Sequence, residues 1–299
     1  MKKKNRTLKF FVVIGIVLAV LASVLLGGYF FLDKYVVPKY FGEFGINNLN
    51  ELVGMMTTLY NNKSDEDIAT YAFTTEDKNS AESKLIEVGF PKLTNGSLDY
   101  KKLAEGTTEI DPEEEVVLSD KELASVLNGM LESGVLSEKL PNLKYINTLN
   151  MRLLELIITP QKNNGELDHK KANCQFTIKI DTSAIKIQIA EEMEMPIFLL
   201  NMIVPKTMYV TTTITLEAND EGEWAFESKG TGVNGRTAKQ SEILLNLLIK
   251  FIFPPEDEMT LSKFNNSIGE VIIEGTKAIG NAEFTNNVYN SLNGIIVKF

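Results

Sequence analysis

The sequence is poor in the residue types that build most catalytic and metal sites, with one cysteine and one histidine among 299 residues. The single Cys174 excludes an intrachain disulfide, and the single His169 excludes a metal site made of several histidines. A Ser-His-Asp triad would have to use His169, which lies in a polar stretch, 161–171, that we predict to be a loop between two strands. Only three arginines are present, which disfavours a nucleotide or phosphoryl-transfer site.

Other candidate sites are weak for similar reasons. Cys174 belongs to an alternating apolar pattern, so we interpret it as a small core residue and not as a reactive thiol. The glycines of 230–235 lack the Gly-Lys-Ser/Thr sequence of a phosphate-binding loop and predict a turn. The acidic run 113–115 lacks the alternation of a calcium loop, and no two carboxylates stand out as a glycosidase pair. We therefore predict no enzyme, no metal site and no cofactor.

Positive charge is scarce after the first nine residues. Five cations precede Phe10, and the remainder of the chain holds 25 basic and 40 acidic residues, a formal charge of −15. A surface this acidic repels phosphate backbones, so the sequence predicts no nucleic-acid partner.

A long apolar run follows the N-terminal cations. Residues 10–32 contain no charged side chain, and a helix of about 20 apolar residues crosses a bilayer core. The positive-inside rule then predicts a single-pass anchor in the cell membrane, with residues 1–9 cytoplasmic and everything after Leu32 extracytoplasmic. A cleaved signal peptide is the alternative, although its apolar core is usually shorter and ends in small residues.

The exported part divides into three sections. We interpret 33–45 as a juxtamembrane connector, because Pro38 and two glycines interrupt the helical pattern. We interpret 46–110 as a small helical section, with helices beginning near Asn48 and Ser64 and a third over 80–88. The remainder, 111–299, is predicted to be one antiparallel α+β domain.

That domain opens with its clearest local signal. A short apolar strand over 116–118 is followed by Ser119 and Glu122, the spacing of a capping box in which each side chain satisfies a backbone N–H. Apolar residues then recur at helical spacing up to Leu131, and Gly134 ends the helix.

Period-two alternation follows and indicates strands with one apolar and one polar face. The segments are 149–158, 174–180, 185–189, 208–216 and 224–226. The first changes phase near Leu153 and Leu154, which predicts a β-bulge; a short helix is the rival interpretation. Short connections favour an antiparallel meander.

The C-terminal part combines helices with a last strand. Thr237 and Gln240 form a second capping-box pattern before an apolar helix over 243–253, which stops at two prolines. A further helix is predicted over 261–278 and a strand over 294–299. The fold class is therefore α+β, an N-terminal transmembrane helix followed by a curved antiparallel sheet packed on amphipathic helices.

Two segments, 193–208 and 243–253, contain more apolar residues than surface segments usually do. Methionine side chains adapt to variable apolar partners, so these segments are candidates for a lipid or apolar binding site. Ordinary core packing and a membrane-contacting loop are the alternatives. The candidate residues are Met193, Met195, Phe198, Leu199, Met202, Ile203, Leu244, Leu247, Leu248 and Phe251.

The order of elements between Val116 and Phe299 resembles bacterial membrane-anchored envelope proteins of the TULIP-like and YpmS-type families. The residues that carry the resemblance are 116–131, the strands between Leu149 and Phe226, and 294–299. It implies a curved sheet wrapped around a long helix, with an apolar groove able to hold an acyl chain. The expected function is a non-catalytic binding module for lipid or another apolar envelope molecule; the alternative is a scaffolding partner of an envelope protein complex.

Overall fold

A computed structural model describes residues 26–42, 45–59, 65–106, 108–111, 113–136, 151–192, 194, 197, 201, 204–219, 224–235, 242, 245–246, 249, 260–289 and 292–299. The chain divides into two compact units, Met1–Thr58 and Leu59–Phe299. The predicted helical section 46–110 is therefore shared between them.

The first unit contains a helix that continues where the sequence predicted a connector. Residues 26–31 are helical, a π-helical turn spans Leu32–Val36, and α1 spans Val37–Phe41. The prediction that Pro38 breaks the helix is wrong, because Pro38 lies in the first turn of α1, where a missing N–H is tolerated.

After α1 the chain turns into α2, Leu49–Leu59, which is capped as predicted. The side chain of Asn48 accepts a hydrogen bond from the backbone N–H of Glu51 at 2.9 Å. The carboxylate of Asp33 accepts a second one from Leu49 N at 2.7 Å, and this bond lowers the pKa of Asp33. Two of the orphan N–H groups at the start of α2 are thus satisfied.

Most of the predicted membrane anchor falls outside the residues that the structure describes. Residues 10–25 lie outside the described part of the chain. Within the described part, no helix has both the length and the apolar character needed to cross a bilayer.

The second unit is an α+β fold, which confirms the predicted class. Its elements in chain order are α3 (Asp65–Ile68), α4 (Thr75–Glu87), α5 (Tyr100–Glu105), β1 (Glu115–Ser119), α6 (Asp120–Glu132), β2 (Arg152–Asn163), β3 (Glu166–Asp181), α7 (Ser183–Glu192), β4 (Thr207–Ala218), β5 (Trp224–Val233), α8 (Leu261–Ile279), β6 (Asn281–Tyr289) and β7 (Leu292–Lys298).

The helices before β1 differ from the prediction. Helix α4 starts five residues before the predicted Ser80, because Thr74 and Asp77 form a capping box. Helix α5, capped by the carboxylate of Asp99, lies in a part of the helical section where no helix was predicted. Both helices have short apolar faces, and their starts are set by capping side chains.

Strands β1, β7 and β6 form a three-stranded antiparallel sheet in the order β1-β7-β6. The predicted first and last strands are thereby paired with each other. Gly294 faces Ser119 in this pair, and a Cβ atom at Gly294 would lie 2.1 Å from the carbonyl oxygen of Leu118. The two backbones approach this closely because position 294 carries no side chain.

Helix α6 is the centre of the unit, and ten of its thirteen residues are buried. Its capping box is the predicted one: Ser119 accepts from Glu122 N, and Glu122 accepts from Ser119 N. The helix lies along the free edge of β2, where Asn128 accepts a hydrogen bond from Leu153 N at 3.0 Å. An edge strand is thus covered by a helix whose polar side chains satisfy its backbone.

Strands β2 to β5 form the predicted antiparallel meander. The bulge is confirmed, because the pairing of β2 with β3 shifts between Leu153 and Glu155. The polar stretch 161–171 is not a loop: β2 runs to Asn163, and β3 begins at Glu166 after a turn through Gly165. Pairing across the hairpin extends the strands although few of these residues are apolar.

One predicted strand, 185–189, is wrong, because these residues belong to helix α7. The carboxylate of Asp181 accepts a hydrogen bond from Ser183 N at 2.8 Å, and Lys186 N donates to Thr182 O at 3.0 Å. The end of β3 is therefore also the start of a helix, although the isoleucines of α7 alternate as in a strand.

The C-terminal helix α8 runs from Leu261 to Ile279 and ends at Gly280, as predicted. Residues 243–253 are described only at 245, 246 and 249, which are helical, with Leu245 and Ile249 buried. The predicted capping pair Thr237 and Gln240 lies outside the described residues. The turn expected within 230–235 is confined to Asn234 and Gly235, because the preceding glycines belong to β5.

Candidate functional site

The ten residues predicted to form an apolar site all lie outside the described part of the chain. They are Met193, Met195, Phe198, Leu199, Met202, Ile203, Leu244, Leu247, Leu248 and Phe251. Their proposed role therefore stays a prediction.

The described residues do enclose an apolar cavity between the inner face of the meander, helices α6 and α8, and the sheet of β6 and β7. Its volume is about 20 Å³, enough for one small group. Thr276 is polar, and the other lining residues are apolar or Cys174: Leu123, Leu156, Ile158, Leu216, Trp224, Ile272, Ile273, Ala282, Phe284 and Ile295. A cavity with so little polar lining stays dry.

Strand alternation places Trp224 of β5 and Cys174 of β3 on the face that lines the cavity. Trp224 packs edge-to-face on Phe284, with 5.0 Å between the ring centroids, so the single tryptophan reports directly on this space. Cys174 is buried in the lining, and burial raises the pKa of its thiol to about 12. Cys174 is therefore a core residue, as the sequence predicted.

A buried polar network lies beside the cavity, at the start of α6. The carboxylate of Asp120 is 1% exposed and accepts hydrogen bonds from Tyr71 Oη at 3.1 Å, Ile158 N at 3.4 Å and Lys121 N at 2.9 Å. Burial raises the pKa of Asp120 to about 6, because these donors offset only part of the desolvation.

The neighbouring carboxylate of Glu122 joins three elements. It accepts hydrogen bonds from Ser80 Oγ and Lys84 Nζ of α4, and from the backbone N–H of Ser119. Lys84 also donates to the carbonyl oxygen of Val117 in β1 at 3.0 Å. Glu122 is thus both a helix cap and half of a partly buried ion pair.

Further polar contacts fix residues 65–73 to the sheet. Glu155, 3% exposed, accepts hydrogen bonds from Tyr71 N at 2.9 Å and Thr177 Oγ1 at 3.1 Å. Asp65 pairs with Lys179 at 2.7 Å and accepts a hydrogen bond from the hydroxyl of Tyr209. The bonds from Lys179 and Tyr209 lower the pKa of Asp65, so its carboxylate stays charged.

His169 lies in strand β3, where its Nδ1 atom is 2.8 Å from the carbonyl oxygen of Phe284. The prediction of a loop position for this residue is wrong. Across the part of the chain that the structure describes, no three His, Cys, Asp or Glu residues are grouped so as to hold a metal ion.

Sequence reasoning missed the network because its partners are far apart in the chain. Ser80 and Lys84 are 42 and 38 residues from Glu122. The available signal was weaker: polar residues such as Asp120 and Asn128 stand within an otherwise apolar helix and need buried partners.

Comparison with known proteins gives no independent guide. No family model, no curated protein and no solved structure matches the chain. The resemblance to TULIP-like and YpmS-type envelope proteins therefore stays a prediction.

Proposed function

We propose that the chain is a membrane-anchored, extracytoplasmic and non-catalytic binding module for a lipid or another apolar envelope molecule. The observation that carries this proposal is the dry cavity between the meander and α8. Its lining brings together apolar side chains from both sheets and from two helices, including Leu156, Trp224, Ile272 and Phe284.

The contacts between α8 and the meander support ligand entry between them. Several polar side chains of α8 bond within the helix, since Ser267 donates to Lys263 O and Lys277 pairs with Glu274. Its inner face is apolar, and Gly269 lies directly against the ring of Phe226. Moving α8 away from the sheet therefore exchanges apolar contacts, and an apolar ligand restores them.

The size of the cavity sets a condition on this function. About 20 Å³ holds a methyl group but not an acyl chain. A lipid therefore enters only if α8 separates from the meander, and the ligand-free domain is closed. We expect binding to be slow and to depend on opening of this helix.

The first unit supports the membrane anchor. Residues 26–32 are helical and exposed, and the exposed large side chains include Leu26, Phe30 and Phe31. Burial begins at Asp33, which is 8% exposed. A helix that is apolar on all sides is typical of a membrane segment, and its aromatic residues suit the interface.

Protease treatment of intact cells tests this topology. We expect external protease to remove the region after Asp33 while the N-terminal tail stays protected and in the membrane fraction. A shortened, soluble product in the medium would show instead that the apolar run is cleaved.

The polar contacts support a binding function in preference to catalysis. Asp120, Glu122 and Glu155 are each hydrogen-bonded to neighbouring elements, as the contacts above show. These bonds dock residues 65–87 onto the meander and α6, which is a structural task.

Lipid retention tests the function. We expect the full chain, purified in detergent and washed, to yield bound lipid on organic extraction and mass spectrometry. Ala282→Val adds two carbons to the cavity lining and should reduce the retained lipid at least fivefold.

The matched control is Ala225→Val, which places the same side chain at an exposed strand position. It should retain lipid like the unchanged protein. Equal, near-zero lipid in all three proteins, together with reproducible capture of one defined protein, would replace this proposal with the scaffolding function.

A further inference from the structure

The outer face of the four-stranded sheet carries a polar concavity that the proposed function does not use. It has a volume of about 520 Å³, within the range of small-molecule sites. All four strands contribute to it: Gln161 from β2, Lys171 and Asn173 from β3, Thr215 and Glu217 from β4, and Glu227 from β5.

The floor of this concavity is a row of neutral polar side chains held in place by one another. The Asn173 Oδ1 atom accepts hydrogen bonds from Gln161 Nε2 at 3.2 Å and from Thr215 Oγ1 at 2.9 Å. Asn173 and Thr215 face each other in the pairing of β3 with β4, and Thr215 is buried. The row is therefore preorganised, so a ligand does not have to order it.

The charges around this floor are balanced. Lys171 and Glu217 are paired across β3 and β4 at 2.6 Å, and Lys229 is paired with Glu227 on β5. These bonds raise the pKa of Lys171 and lower that of Glu227, so both groups remain charged near neutral pH. The site thus offers two ammonium groups and two carboxylates with no net charge.

We propose that this concavity binds a saccharide through its hydroxyl groups. A hydroxyl both donates to a carboxylate and accepts from an ammonium or amide, so it satisfies either half of each ion pair. Solvent-exposed ion pairs contribute little to stability, so a sugar hydroxyl inserts between the partners at little cost.

Other ligand classes fit less well. A phosphate or carboxylate ligand meets Glu217 and Glu227, and a cation meets Lys171 and Lys229. The methyl group of Ala225 adds a small apolar part to the lining, which suits the C–H face of a sugar ring. This site lies on the opposite face of the sheet from the apolar cavity, so the inference stands whether or not lipid binds there.

Saturation-transfer difference NMR of the full chain tests the proposal, in a detergent without a sugar headgroup. The probes are chitotriose, maltotriose and a short peptide that carries both a lysine and a glutamate. We expect a saturable signal from at least one saccharide. Thr215→Val and Glu217→Gln, which remove a floor hydroxyl and one carboxylate charge, should each weaken its binding at least fivefold.

The matched control is Glu283→Gln, because Glu283 is an exposed carboxylate paired with Lys298 at 2.9 Å on the other sheet. It should bind the saccharide like the unchanged protein, and circular dichroism checks that all variants are folded. Absence of any saccharide signal, equal signals in all variants, or binding of the peptide alone would each overturn the proposal.

Discussion

Replacing Glu122 by alanine should lower the free energy of unfolding by about 2–4 kcal/mol, because it removes a helix-capping carboxylate and several hydrogen bonds to a charged group in a partly buried site. Lys84 would keep its contact with the carbonyl oxygen of Val117 but lose its counter-charge. Ser80 would lose its acceptor, and Ser119 N would lose the return half of the capping box. One side chain thus connects α4, β1 and α6, and its loss affects all three.

Urea unfolding of the full chain in detergent, followed by circular dichroism, measures this effect. Glu132→Ala is the matched control, because Glu132 lies at the other end of α6 and pairs with Arg152 in solvent. That exposed pair should contribute less than about 1 kcal/mol. Similar losses in the two variants would contradict the assigned role of Glu122.

Replacing Asp120 by asparagine should change how stability depends on pH. Burial raises the pKa of Asp120 to about 6 from a usual 3.8, so the folded state binds this proton more tightly than the unfolded state. The contribution of Asp120 to stability is therefore largest below about pH 4 and falls as the pH rises to about 6. Asparagine has nearly the same shape as aspartate and keeps an acceptor oxygen. Its amide does not ionise, so its contribution to stability does not change with pH.

The free energy of unfolding should be measured from pH 4 to pH 7. Over this range the Asp120→Asn variant should become more stable relative to the unchanged protein. A shift of about two pKa units corresponds to a relative gain of about 3 kcal/mol across this range.

Asp181→Asn is the control. Hydrogen bonds from Ser183 lower the pKa of Asp181 from its usual 3.8, so its contribution to stability is fully present above about pH 4 and is lost only on further acidification. Between pH 4 and pH 7 the Asp181 variant should therefore differ from the unchanged protein by a constant amount. A pH-independent difference for Asp120→Asn would mean that its carboxylate is not desolvated.

Local patterns predicted the elements whose signals are short-range. The capping box at Ser119 and Glu122, the bulge near Leu153 and the end of α8 at Gly280 each follow from a few adjacent residues. The apolar phase of β4 was also correct, because its predicted inner residues are all buried: Met208, Val210, Thr212, Ile214 and Leu216.

Contacts between residues far apart in the chain determine the secondary structure of the segments that were predicted wrongly. In α7 the isoleucines alternate as in a strand, but Thr182 N is bonded to Lys206 O and its hydroxyl to Pro205 O, and these contacts fix the turn before the helix. Likewise, the polar segment around His169 is a strand because it pairs across a hairpin.

The candidate sites show the same limit. The apolar cavity is assembled from both sheets and two helices, so no single segment of the sequence marks it. The outer-face row of Gln161, Asn173 and Thr215 had a usable signal, because these residues occupy the polar phase of neighbouring strands. Their register, and with it the concavity, is visible only once the strands are paired.

Fluorescence of Trp224 provides the most direct test of the apolar site, because it is the single tryptophan and lines the cavity. The full chain should be titrated with dibromostearate and, in parallel, with unbrominated stearate, since bromine quenches an indole only at close range. We expect saturable quenching by the brominated acid alone, and weaker quenching in Ala282→Val. Trp224 emission that responds equally to both acids, or to neither while the protein remains folded, would contradict a ligand site between the meander and α8.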